Sequence, residues 1–408
     1  MNTKIRLTLM NFLQYAVWGA WLISLGAYLG NTLKFDGLQI GSFFATMGIA
    51  SLFMPAVMGI IADRWIPAQR LLGLCHLFAA GFITLAATRT DYNSLYTLVL
   101  LSVMFYMPTI ALSNSVAYNA LEKAGLDTVT HFPPIRVWGT VGFICAMWVV
   151  DLGKMGLSAT QLYFSATLGL ILGLYSFTLP NCPINRSGGG KSIVDLLGLR
   201  AFALFKQRKM AIFFIFSMLL GMSLPITNAF ADGYIKSFGD TGIHGAKYLG
   251  TFGVEHSTIL ISLSQISETL CILLIPFFLK RFGIKRVMLI AMFAWVLRFA
   301  LLGAGNPGPG VWMFILSMIV YGVAFDFFNI SGSLFVEKET SAAIRSSAQG
   351  VFMIMTNGLG ALIGSYLAGW VVNHYGWPLS WYLFAGFSLV VAIVFAVIFK
   401  YKHDPNRI

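Results

Sequence analysis

The strongest constraint on this chain is a run of about twenty apolar residues that recurs along it with only short polar breaks. Residues 379–399, for example, contain no charged side chain at all. A helix needs about 20 such residues to cross the roughly 30 Å of bilayer hydrocarbon. The strands of a membrane barrel would instead alternate apolar and polar residues, and these runs are continuous. The balance of the chain agrees, with 58% of its 408 residues hydrophobic and 10% charged. A soluble domain has about 25% charged residues to coat its surface. A soluble enzyme, a disordered chain and a coiled coil are excluded, which leaves an all-α membrane protein that crosses the bilayer many times.

Twelve helices are expected, over 7–30, 40–62, 70–88, 95–119, 134–151, 161–179, 210–233, 256–279, 285–304, 311–335, 346–372 and 379–399. The longest polar interruption carries Ser187-Gly188-Gly189-Gly190-Lys191, a flexible linker composition. It divides the chain into an N-terminal six-helix bundle (1–180), a linker (181–209) and a C-terminal six-helix bundle (210–408). Of the 27 lysines and arginines, twenty fall in loops on the side of the N-terminus and five on the other, while Arg136 and Arg298 fall inside spans. Positive charge is retained on the cytoplasmic side, so both termini and the linker are expected there. The net charge of +12 is thereby read as membrane orientation, and no nucleic-acid partner is expected. The halves echo one another, since basic stretches follow helix two (Asp63-Arg64-Trp65) and helix eight (Lys280-Arg281-Phe282-Gly283-Ile284-Lys285-Arg286). Such duplication is typical of secondary transporters, which bind cargo near the bilayer midplane.

Other signals are weak. Lys4 and Arg6 precede an apolar stretch too long and too aromatic for a cleavable leader, so the first helix is expected to stay as an anchor. Cys75, Cys145, Cys182 and Cys271 show no metal or pairing pattern and read as packing thiols. The histidines are scattered, with His76 and His256 expected near helix ends and no pair at zinc spacing. Gly188-Gly189-Gly190-Lys191-Ser192 resembles the end of a phosphate-binding loop, but Asn185 stands where that motif needs glycine, and no strand precedes it. Gly358, Gly360, Gly364 and Gly369 in helix eleven, with Gly26 and Gly30 in helix one, read as small-residue packing faces. No nucleophile–base motif, metal cluster or cofactor motif is visible.

Ionisable residues within the spans carry more information, because each costs at least about 2.5–3.5 kcal/mol at mid-bilayer. Those that cannot be assigned to loops are Arg136, Glu268, Arg298 and Asp326. Helical spacing sorts their neighbours. Arg136, Thr140 and Phe143 form one stripe that offers a cation, a hydroxyl and a ring. Gln265 and Glu268 set an amide beside a carboxylate, with Ser264 one turn earlier. Tyr321 and Phe325 share a face that Asn329 extends, and Asp326 is turned about 100° from it, toward another helix. Arg298 is expected to snorkel or to bond backbone carbonyls. In helix seven, Pro225 removes a backbone bond near Gly221 and predicts a kink beside Asn228. These groups suit an uncharged polar molecule with a flat face, because carboxylate and amides bond its polar edge while rings stack on it. Glu268 or Asp326 could also carry a proton, since burial favours the neutral acid and a nearby cation the charged one.

At Phe132-Pro133-Pro134-Ile135-Arg136-Val137-Trp138-Gly139-Thr140 the sequence resembles the F-P-P-I-R-x-W-G-T signature of the nucleoside:proton symporters, a family of the major facilitator superfamily. Met210–Gly221, Ser264–Leu270, Tyr321–Gly332, Phe335–Glu339 and Ser347–Gly350 are similar to that family too. The resemblance implies the twelve-helix major facilitator fold, alternating access, and import of nucleosides across the cytoplasmic membrane with protons. It implies a nucleoside site at Arg136, Thr140, Phe143, Asn228, Gln265, Glu268, Tyr321 and Phe325, with Glu268 and Asp326 as proton-coupling residues. One departure stands out: close relatives resemble L-Q-I-T-N in helix seven, whereas this chain has Pro225, so an amide is missing. A lipid-embedded monomer without cofactor is expected. The rival transporter is a sugar or glycoside:proton symporter of the same fold, and the rivals of other classes are an intramembrane enzyme and a sensor.

Overall fold

A peptide group inside hydrocarbon has no water to bond, so each apolar run must pair its backbone groups within itself, and the helix does this. The computed structural model describes residues 2–184, 199–341 and 344–401, and among them there is no strand. The helices are α1 (Thr3–Gly19), α2 (Gly37–Arg64), α3 (Ala68–Ala87), α4 (Tyr92–Lys123), α5 (Thr128–Leu152) and α6 (Thr160–Ser176). There follow α7 (Arg208–Ser237), α8 (257–282), α9 (284–304), α10 (Val311–Glu339), α11 (Ser347–Tyr375) and α12 (Leu379–Ile398). Nine helices among the described residues are long and apolar enough to cross a membrane, with the 48-residue Ser257–Ala304 counted once. Gly283 splits that helix, and α1 and α6, 17 residues each, complete twelve. The linker glycine run lies outside the described residues.

Three local features differ from the sequence expectation. The basic stretch after α8 is no loop. The helical rise passes through it with one non-helical residue, Gly283, at φ 75° and ψ 165°, a conformation that a residue with a Cβ rarely adopts. Next, α5 starts six residues before its expected 134, because the Asp127 carboxylate accepts the Thr130 amide (2.8 Å) and caps the helix. Pro133 and Pro134 then fall within its first two turns. Finally, α7 continues past 233 to Ser237, so Asp232, one residue before the expected end, lies more than a turn inside the helix. The predicted interruption of α7 is present, at Met222 between Arg208–Gly221 and Ser223–Ser237.

The chain divides into two compact units, Met1–Phe35 with Ile49–Leu196, and Asp36–Gly48 with Leu197–Ile408. In the first, α1 lies against α5 and α6, and α3 lies against α4 and α6. The α1–α5 contact is backbone on backbone. A methyl at Gly19 would strike the Phe143 carbonyl, and one at Gly142 the Phe12 carbonyl. In the second unit α7 lies against α11, and the α8–α9 rod lies against α10 and α12. Here Gly221 meets the Thr356 carbonyl, Gly360 the Met218 carbonyl and Gly364 the Met222 carbonyl. The first residues of α2 belong to this unit too, with Gly37 against Gly369 and Gly41 against Ser365. Such approach is the usual basis of helix association in lipid, where packing replaces the hydrophobic drive. Gly360, Gly364 and Gly369 thus act as the packing faces their spacing suggested.

Candidate functional site

In the first unit the predicted stripe lies on α5. The Arg136 guanidinium sits 3.9 Å from the centre of the Tyr15 ring on α1. A planar cation on a ring face is worth about 0.5–2 kcal/mol, most when desolvated. Gly139 makes the contact possible, since a Cβ there would lie 2.5 Å from the Tyr15 ring and 2.9 Å from an Arg136 nitrogen. Thr140 follows one turn after Arg136 and is half-buried. Phe143 is buried, edge-on to Trp18 at 6.3 Å and 84°.

Behind this stripe is a polar network that the sequence reading missed. Gln14 donates to the Thr109 hydroxyl (2.7 Å), its carbonyl side faces His76 Nε2 (2.8 Å), and the Tyr106 hydroxyl donates to the Gln14 backbone carbonyl (2.8 Å). His76 was expected near a helix end; it is fully buried midway along α3. The signal was available, for Asn11, Gln14, Tyr15 and Trp18 recur at helical spacing on one face of α1.

In the second unit Tyr321 and Phe325 on α10 stack, with ring centres 5.6 Å apart and planes within 6°. Beneath them Arg298 of α9 is 2% exposed, and its guanidinium lies 4.7 Å from the Tyr321 ring centre. It donates to the Ser317 carbonyl (2.7 Å) and to the Ser264 hydroxyl (3.4 Å). Arg298 therefore does not snorkel; it bonds a carbonyl, as one of its two expected roles had it, and also braces Tyr321. Asp326 is 5% exposed and turns toward α8, where its carboxyl and that of Glu268 interact electrostatically. Both act on the Tyr321 phenol, as does Arg298. Asp326 Oδ2 is buried with no hydrogen-bond partner among the described residues.

The helices that carry these groups are locked together. Ser267 donates to the Ile319 carbonyl, and Gly322 lets α10 approach the Ser267 carbonyl, where a Cβ would come within 2.6 Å. Glu268 and Tyr321 are the immediate neighbours of that contact in sequence. Gln265 lies half-buried three residues before Glu268 on α8, and Asn228 lies half-buried on the second segment of α7, Ser223–Ser237. The structure thus joins Glu268, Asp326, Tyr321 and Phe325 into one cluster on α8 and α10. It joins Arg136 and Phe143 to rings of α1. Pro225 is buried within α7, and Asn329, which the Tyr321 face was expected to include, bonds back to the Phe325 carbonyl (3.0 Å).

Chemically, the second cluster offers acids and a flat stacked surface, and the first offers a cation held on a ring. Among the described residues no group of His, Cys, Asp and Glu could hold a metal ion. The four cysteines are unpaired. Twelve helices whose two sets repeat one packing plan, with ionisable side chains inside the spans, define a secondary transporter of the major facilitator fold.

Comparison with known proteins narrows that class. The chain belongs to the nucleoside H+ symporter family, whose sequence model matches residues 1–404. It is 50% identical to nucleoside permease NupG of Escherichia coli (strain K12), in a match that covers 99% of this chain and 97% of that protein. It is 49% identical to the xanthosine permease of the same organism, with 100% and 98% covered. The crystal structure of nucleoside transporter NupG superposes with a TM-score of 0.91 at 51% identity, over 98% of this chain and 100% of the other. A D-xylose-proton symporter superposes with a TM-score of 0.73 at 14% identity, a likeness of fold alone. The protein is a nucleoside:proton symporter, and the sugar-symporter reading is not favoured.

Proposed function

We propose that the protein brings nucleosides into the cell with protons, and that the residues of the two units divide the work. Arg136 and Thr140 bond polar groups of the nucleoside, and Phe143 shapes the apolar part of its surroundings. Asn228, Gln265 and Glu268 bond the base edge and sugar hydroxyls, and Tyr321 and Phe325 stack on the base. Glu268 and Asp326 handle the proton. The observation that carries this reading is the pairing of a stacked aromatic surface with two interacting carboxyls on α8 and α10. A ring surface beside hydrogen-bonding acids suits a flat heterocycle that bears a sugar. Two interacting carboxyls in a poor dielectric repel when both are charged, and one proton relieves the repulsion. Anything that changes their solvation or partners then moves a proton on or off.

The membrane is the cytoplasmic one, and both termini face the cytoplasm, which the distribution of lysine and arginine supports. The working unit is a monomer in lipid, with no cofactor. The test is uptake of tritiated uridine or adenosine by cells lacking their own nucleoside permeases, with and without a protonophore. Collapse of accumulation on adding the protonophore is the expected result; uptake indifferent to the gradient refutes proton coupling. Thermal stabilisation of the purified protein by a panel of purine and pyrimidine nucleosides gives the preference that accompanies Pro225.

A further inference from the structure

The interruption at Met222 means that the backbone ladder of the first part of α7 does not hold the second segment, Ser223–Ser237. That segment bears Asn228, and something else must aim it. Asp232 is 1% exposed within it, and three donors converge on its carboxylate. Lys236, one turn further on, lies 2.6 Å from Oδ2. The hydroxyls of Ser257 and Thr258, at the start of α8, donate to Oδ1 at 2.5 Å and 3.1 Å.

A purely cohesive role would not need these groups. Replacing a buried ion pair by apolar side chains of similar volume is often neutral or stabilising, because removing charges from water is expensive. Hydrogen bonds add direction. Apolar packing would hold α7 on α8, whereas a carboxylate gripped from both helices also fixes their rotation and register. The spacing gives that register a purpose. Asn228 is one turn before Asp232 on the same face of α7, and Gln265 is two turns after Thr258 on the same face of α8. Glu268 follows Gln265 by three residues.

We infer that Asp232 is a positioning residue for nucleoside binding: it locks the second segment of α7 to α8 and so sets Asn228 relative to Gln265 and Glu268. This rests on the binding roles proposed above for those three residues. Asp232 itself touches no substrate, and its effect on binding passes through Asn228.

The experiment uses the full chain in proteoliposomes, with uptake of tritiated uridine measured per inserted transporter. Asp232→Asn keeps the shape and an acceptor for Ser257 but sets an amide beside the Lys236 ammonium. It is expected to raise the half-saturating uridine concentration on the order of tenfold with maximal rate within about twofold, as for coupled neighbouring residues. Asp232→Glu, which keeps the charge, recovers part of the affinity, and Ser257→Ala moves it in the same direction by less. In the double variant with Asn228→Ala, half-saturation matches Asn228→Ala alone. The inference is overturned if the two changes multiply, if Asp232→Asn lowers only the maximal rate, or if it leaves half-saturation at the parent value while Asn228→Ala raises it. An Asn228→Ala protein with parental affinity overturns the binding role of Asn228, and this inference with it. Should Asp232→Asn fail to insert, Ser257→Ala and Lys236→Gln carry the same comparison.

Discussion

In the first unit α1 meets α5 backbone to backbone at Gly19 and Gly142; in the second, α7 meets α11 in the same way at Gly221, Gly360 and Gly364. The α3–α6 contact of the first unit has its counterpart in the packing of the α8–α9 rod on α12. The load on this shared scaffold differs. On α5 the polar stripe is a cation resting on the Tyr15 ring, backed by the hydrogen-bonded network of Gln14, Thr109 and His76. On α8 and α10 it is a pair of carboxyls beside two stacked rings, and the buried cation, Arg298, is bonded to a carbonyl beneath them. Repetition preserved what the bilayer demands of helix contacts. The chemistry carried on that scaffold was free to diverge, and the acids of the proton-handling proposal all lie in the second unit.

The comparison is broken most readily at Glu268. Glu268→Gln is expected to cut gradient-driven uridine uptake about 30-fold, since a hydrogen bond to a charged group contributes about 1.5–3 kcal/mol. The remaining uptake should lose its response to external pH. Arg136→Ala in the other unit should weaken uptake while keeping that response, and if both variants behave alike, the division of labour is wrong. Parental transport by Glu268→Gln would remove that residue from the site.

Rings come next. Phe325→Ala is expected to weaken uridine binding about tenfold, within the about 1–3 kcal/mol that a base gains from one aromatic stack. Isothermal titration of the purified protein reads it, with Phe143→Ala as the matched change in the first unit. Phe143 shapes rather than stacks, so its loss should do less.

The scaffold itself can be tested at matched glycines. Gly142→Leu and Gly364→Leu each force a side chain against a carbonyl, and overpacking costs about 1–3 kcal/mol. Both should lower the thermal transition of the purified protein by a few degrees and by similar amounts. A large difference would show that the two crossings are not equivalent. The smallest effect is expected for Arg136→Lys, which keeps the charge and loses the planar face on Tyr15. A several-fold weaker uridine affinity matches a cation–π contact of about 0.5–1 kcal/mol.

The spans were legible because hydrocarbon leaves the backbone no other choice, and the length of each run follows from bilayer thickness. Gly283 was not, because Lys280, Arg281, Lys285 and Arg286 look like any basic loop, and hydropathy does not distinguish a loop from a one-residue bend. The stacking of Tyr321 on Phe325 could be read from i, i+4 spacing. That Asp326 turns to Glu268 required knowing that α10 lies on α8, which no local pattern states. Tyr15 was hidden because one ring among many on an aromatic-rich chain carries no mark of its partner. Asp232 was hidden because it stands one residue before the expected end of α7, where a charge reads as interfacial; the helix runs on to Ser237, with Lys236 paired to Asp232.

One consequence follows from the Gly364 contact. It places the α11 backbone against Met222, the residue at which α7 is interrupted. The atoms of α7 that face Gly364 there are the Met222 carbonyl oxygen, Cα and Cβ, so the two rods approach without a bulky side chain between them. The break in the α7 ladder and the closest approach of α7 to α11 therefore coincide, less than two turns from Asn228.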